Sequence, residues 1–143
     1  MTTYNTVKAD KVQSGYDHET NKCVLIALAV VAECGYDVAR SAVHLHTPAE
    51  AIHDKHGYYG HHYMPAYKWL LSSVGKTMRH LDLSTVRVHA KTVRSFTPRV
   101  ARALGVKDGF IQVRGHILAV KNYKVEDWSE ERVRRIQSVT IVE

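Results

Sequence analysis

The sequence predicts an α+β fold, with helices in the first half of the chain and a mostly antiparallel sheet in the second half. Residues 1–75 contain apolar stretches of helical length that end at glycine or proline, whereas residues 81–142 contain short apolar runs typical of strands. The 143 residues, of which 45% are apolar and 24% charged, suffice for a folded core. We therefore expect one domain over residues 1–143.

The first predicted elements are an N-terminal arm and a buried helix. Residues 1–20 are polar and contain turn formers, so we expect an ordered arm or loop. Thr20 or Asn21 can cap the next segment, CVLIALAVVAECG, which is apolar on nearly all sides and predicts a buried helix ending at Gly35. Its longest uninterrupted apolar run spans nine residues, too few to cross a bilayer.

Three further helices are predicted before Gly75, which ends the last of them. Pro48 separates the first two, because proline stops one helix and is tolerated in the first turn of the next. The predicted elements, in chain order, are a helix over 37–46, a short helix over 49–56, a loop over 57–62 and a helix over 65–74.

The second half of the chain predicts strands and one short helix. Alternating apolar residues predict a strand over 81–88, and Pro98 marks the start of a short helix over 97–104. Gly115 lies between two adjacent apolar runs and indicates a bulge or a close backbone approach. The remaining strands are expected at 109–114, 116–120, 123–125 and 136–142.

Cys23 lies in the first turn of the predicted buried helix. Unpaired N–H groups and the positive end of the helix dipole stabilise a thiolate there, and a thiolate is the nucleophile that acyl transfer needs. The alternative interpretation is that Cys23 is a small core residue. Cys34 lies at the opposite end of the helix and is expected to be structural. Two cysteines form no disulfide framework, which favours a reducing compartment.

A thiolate nucleophile needs a base and a group that orients the base. His116 is the best candidate base, since a polar ring at the start of an apolar strand must find a partner or face a cleft. Asp127 follows a short strand, where a hairpin could bring it beside His116. Asn122 is the alternative third member, because an amide oxygen also accepts from an imidazole.

These residues carry a resemblance to a known family. The segments are NKCVLIALAVVAECGY, HGYYGHHYMPA, TVRSF and FIQVRGHILAVKNYKVEDW. Over residues 13–128 the chain resembles small papain-like cysteine peptidase fold proteins of bacteriophages, which are similar to the peptidase domains that process bacteriocin leaders. The resemblance implies N-terminal helices packed on the C-terminal sheet, a catalytic triad of Cys23, His116 and Asp127, and cleavage of a peptide or isopeptide bond.

The sequence departs from the family pattern beside the cysteine. Lys22 stands where family members often have aspartate, and Asp17 occupies the offset at which many papain-like enzymes have an oxyanion glutamine. Asn21, His18 or the backbone N–H of Cys23 could donate to the oxyanion instead. This departure motivates a second hypothesis, a catalytically inert papain-fold phage protein that acts as a virion-structural or host-interaction module.

A group of histidines invites a metal interpretation, because two histidines and a carboxylate can hold zinc or iron. The spacing matches no metal motif, and we expect a solvated loop with no metal and no cofactor. The residues of this group are His53, Asp54, His56, His61 and His62.

The net charge of +6 permits contact with nucleic acid, yet no nucleic-acid motif accompanies it and such a charge also serves solubility. We expect a protein or peptide substrate, a virion or host protein as a further partner, no membrane, and a location in the host cytoplasm or the virion. The basic residues are spread along the chain, most densely at Lys76, Arg79, Arg87, Lys91, Arg94, Arg99, Arg102 and Lys107, and again at Arg132, Arg134 and Arg135.

Overall fold

The computed structural model describes residues 2–53, 57–58, 62–127 and 133–143, with only the backbone of His53. Within these residues the fold is α+β, as predicted, with six α-helices and a five-stranded antiparallel sheet. The chain divides into two compact units, Met1–Lys76 and Thr77–Glu143. The prediction that the whole chain acts as one papain-like domain stays a prediction.

The first unit is helical. Its core helix α2 is contacted by the other three, and residues 24–31 of α2 are all buried, which accounts for its apolar sequence. No helix in the described part of the chain has the length and apolarity needed to cross a membrane. The helices are α1 (Tyr4–Gln13), α2 (Cys23–Ala32), α3 (Tyr36–His46) and α4 (Met64–Ser73).

The connection between α3 and α4 contains a small β-ladder. A single 3-10 turn, Ala49–Ala51, leads into β1 (Ile52–His53), which pairs antiparallel with β2 (Gly57–Tyr58). The short helix predicted over 49–56 is therefore wrong in its described part, and β2 begins the segment that was predicted as a loop.

The prediction of an arm or loop over residues 1–20 is wrong for Tyr4–Gln13, which forms α1. Thr3 and Thr6 make a reciprocal capping box at its start, in which each side chain bonds the backbone of the other. Only two side chains of this helix, Val7 and Lys11, are buried. Two buried positions, one of them a lysine, give too little hydrophobic periodicity to indicate a helix from the sequence.

The ends of α2 also differ from the prediction. Its N-cap is Lys22, which makes no side-chain capping bond, so neither Thr20 nor Asn21 has the predicted capping role. At the other end Glu33 adopts the left-handed conformation, with φ 54°, and Gly35 instead serves as the N-cap of α3. The carboxylate of Asp10 caps α3 in turn, accepting from the Tyr36 N–H at 2.6 Å.

The second unit is the five-stranded sheet with two short helices. The strand order is β3-β7-β4-β5-β6, with every neighbour antiparallel. The strands are β3 (Met78–His80), β4 (Asp108–Val113), β5 (His116–Lys121), β6 (Lys124–Glu126) and β7 (Ser138–Val142). The helices are α5 (Leu83–His89) and α6 (Pro98–Leu104).

Two predictions for this unit are wrong. The segment 81–88 is not a strand, because Asp82 caps α5 by accepting from the Ser84 N–H at 2.8 Å. Gly115 is neither in a bulge nor at a close backbone approach, because no atom lies within 4 Å of an added Cβ. It sits in the two-residue turn between β4 and β5, where its φ of 71° suits glycine. The predicted α6 and the strands now numbered β4 to β7 are confirmed within one or two residues.

Candidate functional site

Cys23 is the first residue of α2 and is half-buried. The Lys22 carbonyl accepts from the N–H groups of Leu25 at 3.0 Å and Ile26 at 3.1 Å, which closes the first turn. No described residue accepts from the backbone N–H of Cys23 or of Val24. The sulfur is therefore attached to a helix start whose first two donors are still available to an anion.

Lys22 is buried, with 4% of its surface exposed, directly before the cysteine. Its ammonium group lies 5.1 Å from the centroid of the Tyr58 ring, a cation–π contact that compensates part of its lost hydration. The Tyr58 hydroxyl is in turn 2.9 Å from Nε2 of His44. A buried lysine thus precedes the cysteine, where the family resemblance led us to expect an acid.

Tyr67 ties α4 to the first turn of α2. Its hydroxyl donates to the carbonyl of Val24, one residue after Cys23, and its ring is fully buried. Burial raises the pKa of Tyr67 well above its ordinary value, and the neighbouring Tyr63 and Cys23 raise it further. This phenol therefore stays protonated at neutral pH and keeps donating to the Val24 carbonyl.

The predicted base and its predicted partner, His116 and Asp127, lie in the second unit, at the hairpin of β5 and β6. Ala119 pairs with Glu126 in the register of this hairpin, so the next position, Asp127, faces Leu118. His116 is two residues from Leu118 along β5 and points to the same side of the sheet. The two side chains meet on this diagonal: Nε2 of His116 is 2.9 Å from Oδ2 of Asp127.

The His116–Asp127 pair is nearly buried, with 8% and 5% of the respective side chains exposed. An ionised carboxylate can only accept, so the bond places a hydrogen on Nε2 of His116. In the neutral ring the lone pair then belongs to Nδ1, which becomes the atom that can take a proton. The arrangement is that of an oriented general base.

Asn122, the alternative partner of His116, is placed elsewhere. It lies in the turn at the other end of β5, where its N–H donates to Oδ1 of Asp108 at 3.0 Å. Six residues of extended chain separate it from His116, a span of about 20 Å. The structure therefore brings Asp127, and not Asn122, to the imidazole.

Asn21, the predicted oxyanion donor, is exposed two residues before the cysteine and has a left-handed backbone, with φ 55°. A Cβ added to Gly57 would lie 2.5 Å from the Asn21 carbonyl oxygen, so the turn before Cys23 is held against the backbone of β2. An oxyanion role for Asn21 stays a prediction.

Cys34 follows α2 and differs from Cys23 in its surroundings. Burial, and then the charge of Asp37, raise the pKa of its thiol from 9.0 to about 11. The thiol therefore remains protonated at neutral pH, which agrees with the structural role expected for Cys34.

Among the described residues, no group of three or more histidine, cysteine, aspartate or glutamate side chains could hold a metal ion. Most of the histidine-rich segment considered in the sequence lies outside that part: Asp54, His56 and His61, together with the side chain of His53. His62 is described and exposed.

Sequence reasoning did not anticipate Lys22, Tyr58, His44 and Tyr67 as a connected group around the start of α2. The only available signal was the position of Lys22 directly before the cysteine, and lysines are rarely buried. Comparison with known proteins adds no relative to these observations: no family model, no curated protein and no solved structure matches the chain.

Proposed function

We propose that this protein is a papain-like thiol hydrolase that uses Cys23 as nucleophile, His116 as general base and Asp127 as the group that orients the base. The observation that carries the proposal is the 2.9 Å bond between the nearly buried side chains of His116 and Asp127. A histidine held in one tautomer by a carboxylate is the arrangement that acyl-transfer enzymes use to activate a nucleophile.

The proposed reaction proceeds in two steps. The Cys23 thiol gives its proton to Nδ1 of His116, and the sulfur attacks the carbonyl carbon of an amide. The resulting tetrahedral intermediate collapses to a thioester when His116 returns the proton to the leaving amine. Water, deprotonated by His116, then hydrolyses the thioester and regenerates the thiol.

The negative oxygen of the tetrahedral intermediate needs donors. The backbone N–H of Cys23 is our candidate, since no described residue accepts from it. A basic residue, Lys22, is the N-cap of the same helix. With these two features at the helix start, catalysis does not require the oxyanion glutamine that many papain-like enzymes have.

The family resemblance supports a peptide or isopeptide bond as the substrate and a phage protein as the source. It also leaves the second hypothesis open, in which the fold serves a virion-structural or host-interaction role without catalysis. A chemical test of Cys23 separates the two, because an activated thiolate reacts faster than an ordinary thiol.

The test is alkylation with iodoacetamide near pH 6, followed at each cysteine by mass spectrometry. We expect Cys23 to be labelled about tenfold or more faster than Cys34. His116→Ala is expected to slow the labelling of Cys23 by about tenfold, because the imidazolium no longer stabilises the thiolate.

Two controls accompany this experiment. Cys23→Ser must lose the fast label, and His89→Ala removes an exposed histidine of the same unit and is expected to leave the rate unchanged. Equal rates for the wild type and His116→Ala would reject activation of Cys23 by His116 and favour the inert alternative.

A further inference from the structure

The net charge of the chain is concentrated in one unit. Residues 77–143 contain thirteen of the twenty lysines and arginines and seven of the fourteen acidic residues, which gives this unit all of the +6. Residues 1–76 contain seven basic and seven acidic residues and have no net charge. Between Asp82 and Asp108 the sequence has six basic residues and no acidic one.

The fold joins the two basic segments that looked separate in the sequence. Thr92 and Arg135 form an antiparallel bridge. The Val93 N–H donates to the Arg134 carbonyl, and the Ile136 N–H donates to the Lys91 carbonyl, each at 2.9 Å. The resulting basic cluster consists of Arg87, Lys91, Arg94, Arg134 and Arg135.

The backbone that carries the cluster is fixed by hydrogen bonds and by buried side chains. Thr92 and Ser95 exchange backbone-to-side-chain bonds of 3.1 and 3.3 Å, and the buried side chains of Val93 and Phe96 anchor the same turn in the core. The guanidinium of Arg87 donates to the Ile136 carbonyl at 3.1 Å. The backbone is therefore already ordered before a ligand binds, and the entropy cost of binding falls on the exposed side chains of Lys91, Arg94 and Arg135.

In the described part of the chain, no carboxylate forms an ion pair with any member of the cluster. Lys91, Arg94 and Arg135 are exposed. The backbone pairing brings the two segments that carry these positive charges side by side, which favours an anion that can contact both segments. The cluster is therefore a site that favours a ligand with several negative charges.

The composition of the cluster indicates what the ligand is. Four of its five members are arginines, whose planar guanidinium groups bind phosphate oxygens in pairs. The exposed apolar neighbours are Val88 and Val133, which are not the aromatic anchors typical of a protein interface. Among the described aromatic residues of the second unit, Phe96 and Phe110 are buried and Tyr123 is half-buried beneath Arg102, so none of them offers an exposed ring on which an unpaired base could stack.

We propose that the basic cluster of the second unit binds the phosphodiester backbone of double-stranded nucleic acid. Binding rests on charge and on an ordered backbone and is independent of sequence. This activity uses none of the three residues assigned to hydrolysis, so either proposal can fail without the other.

The test is fluorescence anisotropy with labelled 20-base-pair duplexes, one of DNA and one of RNA, at several salt concentrations. We expect micromolar binding at about 50 mM salt, with an apparent affinity that falls as roughly the third to fourth power of salt, because three to five phosphates are neutralised. The DNA and RNA arms show which duplex supplies the phosphates.

The decisive variant is Arg94→Glu with Arg135→Glu, which is expected to weaken duplex binding by about tenfold or more. The matched control is Lys8→Glu with Lys68→Glu, two exposed residues of the first unit. Each double variant lowers the net charge from +6 to +2. The control is expected to stay within about threefold of the wild type, since only bulk charge changes.

Three results would overturn the proposal. The first is no binding at the lowest salt, and the second is an equal loss in both double variants, which would assign binding to net charge alone. The third is displacement of the labelled duplex by poly-glutamate as readily as by unlabelled duplex, which would identify an acidic polypeptide as the partner. Far-UV circular dichroism verifies that each variant is folded.

Discussion

At the scale of single residues, the choice between Asp127 and Asn122 determines how His116 is held. Both residues follow His116 closely in the sequence, and both side chains can accept a hydrogen bond from an imidazole. The register of β5 and β6 places Asp127 on the diagonal from His116, whereas Asn122 occupies the turn. The sequence narrowed the partner to two residues, and the pairing of strands selected one.

Asp127→Asn is expected to slow alkylation of Cys23 near pH 6 by about tenfold, because an amide can donate to Nε2 and so favour the wrong tautomer of His116. Asn122→Ala is the matched control: it should leave the alkylation rate within about twofold and cost about 1 kcal/mol of stability, since alanine tolerates a positive φ poorly. A greater loss of rate in Asn122→Ala than in Asp127→Asn would contradict the assignment.

Lys22 is a residue whose environment could not be predicted from its position in the sequence. Its position before the cysteine marked a departure from the family pattern, and a lysine is ordinarily assigned to the surface. Its burial depends on the Tyr58 ring, which is supplied by β2 about thirty-five residues later in the chain. No local pattern in the sequence contains that contact.

At the scale of elements, Val86 and Val88 alternate with polar residues, and this pattern predicts a strand where the structure has α5. In the helix the two valines are about 200° apart, so Val86 is buried and Val88 is 82% exposed. The signal for the helix was the cap rather than the periodicity. Ser84 bonds the Asp82 side chain from both its hydroxyl and its N–H, and these bonds lower the pKa of Asp82.

The central strand β4 requires glycine at position 109. A Cβ there would overlap the carbonyl oxygen of Thr140 on β7, which is backbone and cannot turn aside. Gly109→Ala is therefore expected to lower the free energy of unfolding by about 3 kcal/mol or to prevent folding, as urea denaturation would measure.

Gly105→Ala, at the C-cap of α6, is the matched control for Gly109→Ala. Gly105 has a φ of 74° but no atom within 4 Å of an added Cβ, so only the backbone conformation is disfavoured. A loss of about 1 kcal/mol is expected. Equal losses in the two variants would show that the close approach of β4 to β7 does not constrain the sheet.

At the scale of the whole molecule, charge is divided unequally between the two units. The composition alone shows a surplus of six positive charges, which no nucleic-acid motif in the sequence accompanies. The division of the chain at Lys76 assigns the entire surplus to the second unit. The bridge between Thr92 and Arg135 then concentrates part of it in one cluster.

The stability of the protein is expected to fall between pH 9 and pH 11. Burial and Asp37 raise the pKa of Cys34 from 9.0 to about 11, so over this interval the unfolded chain loses the proton first. The folded state binds more protons, and the stability present below pH 9 is lost as the pH rises through 11. One thiol contributes at most about 1.4 kcal/mol per pH unit.

Urea unfolding at pH 8, 9, 10 and 11 measures this effect, with Cys34→Ala as the comparison. The variant should show a flatter decline below pH 10. Tyr36 and Tyr67 extend the decline above pH 10 in both proteins, because burial raises the pKa of each phenol. An identical pH profile for the variant would contradict the assignment to Cys34.

The sequence by itself determined the α+β class, the buried helix α2, the helices α3, α4 and α6, and the hairpin of β4 and β5. These elements are determined by periodicity and by glycine and proline within a few residues. Tertiary structure alone decided that Asp127 meets His116, that Lys22 is buried on Tyr58, and that Arg135 lies beside Thr92. Those contacts depend on strand register and on packing between distant segments, which no local pattern encodes.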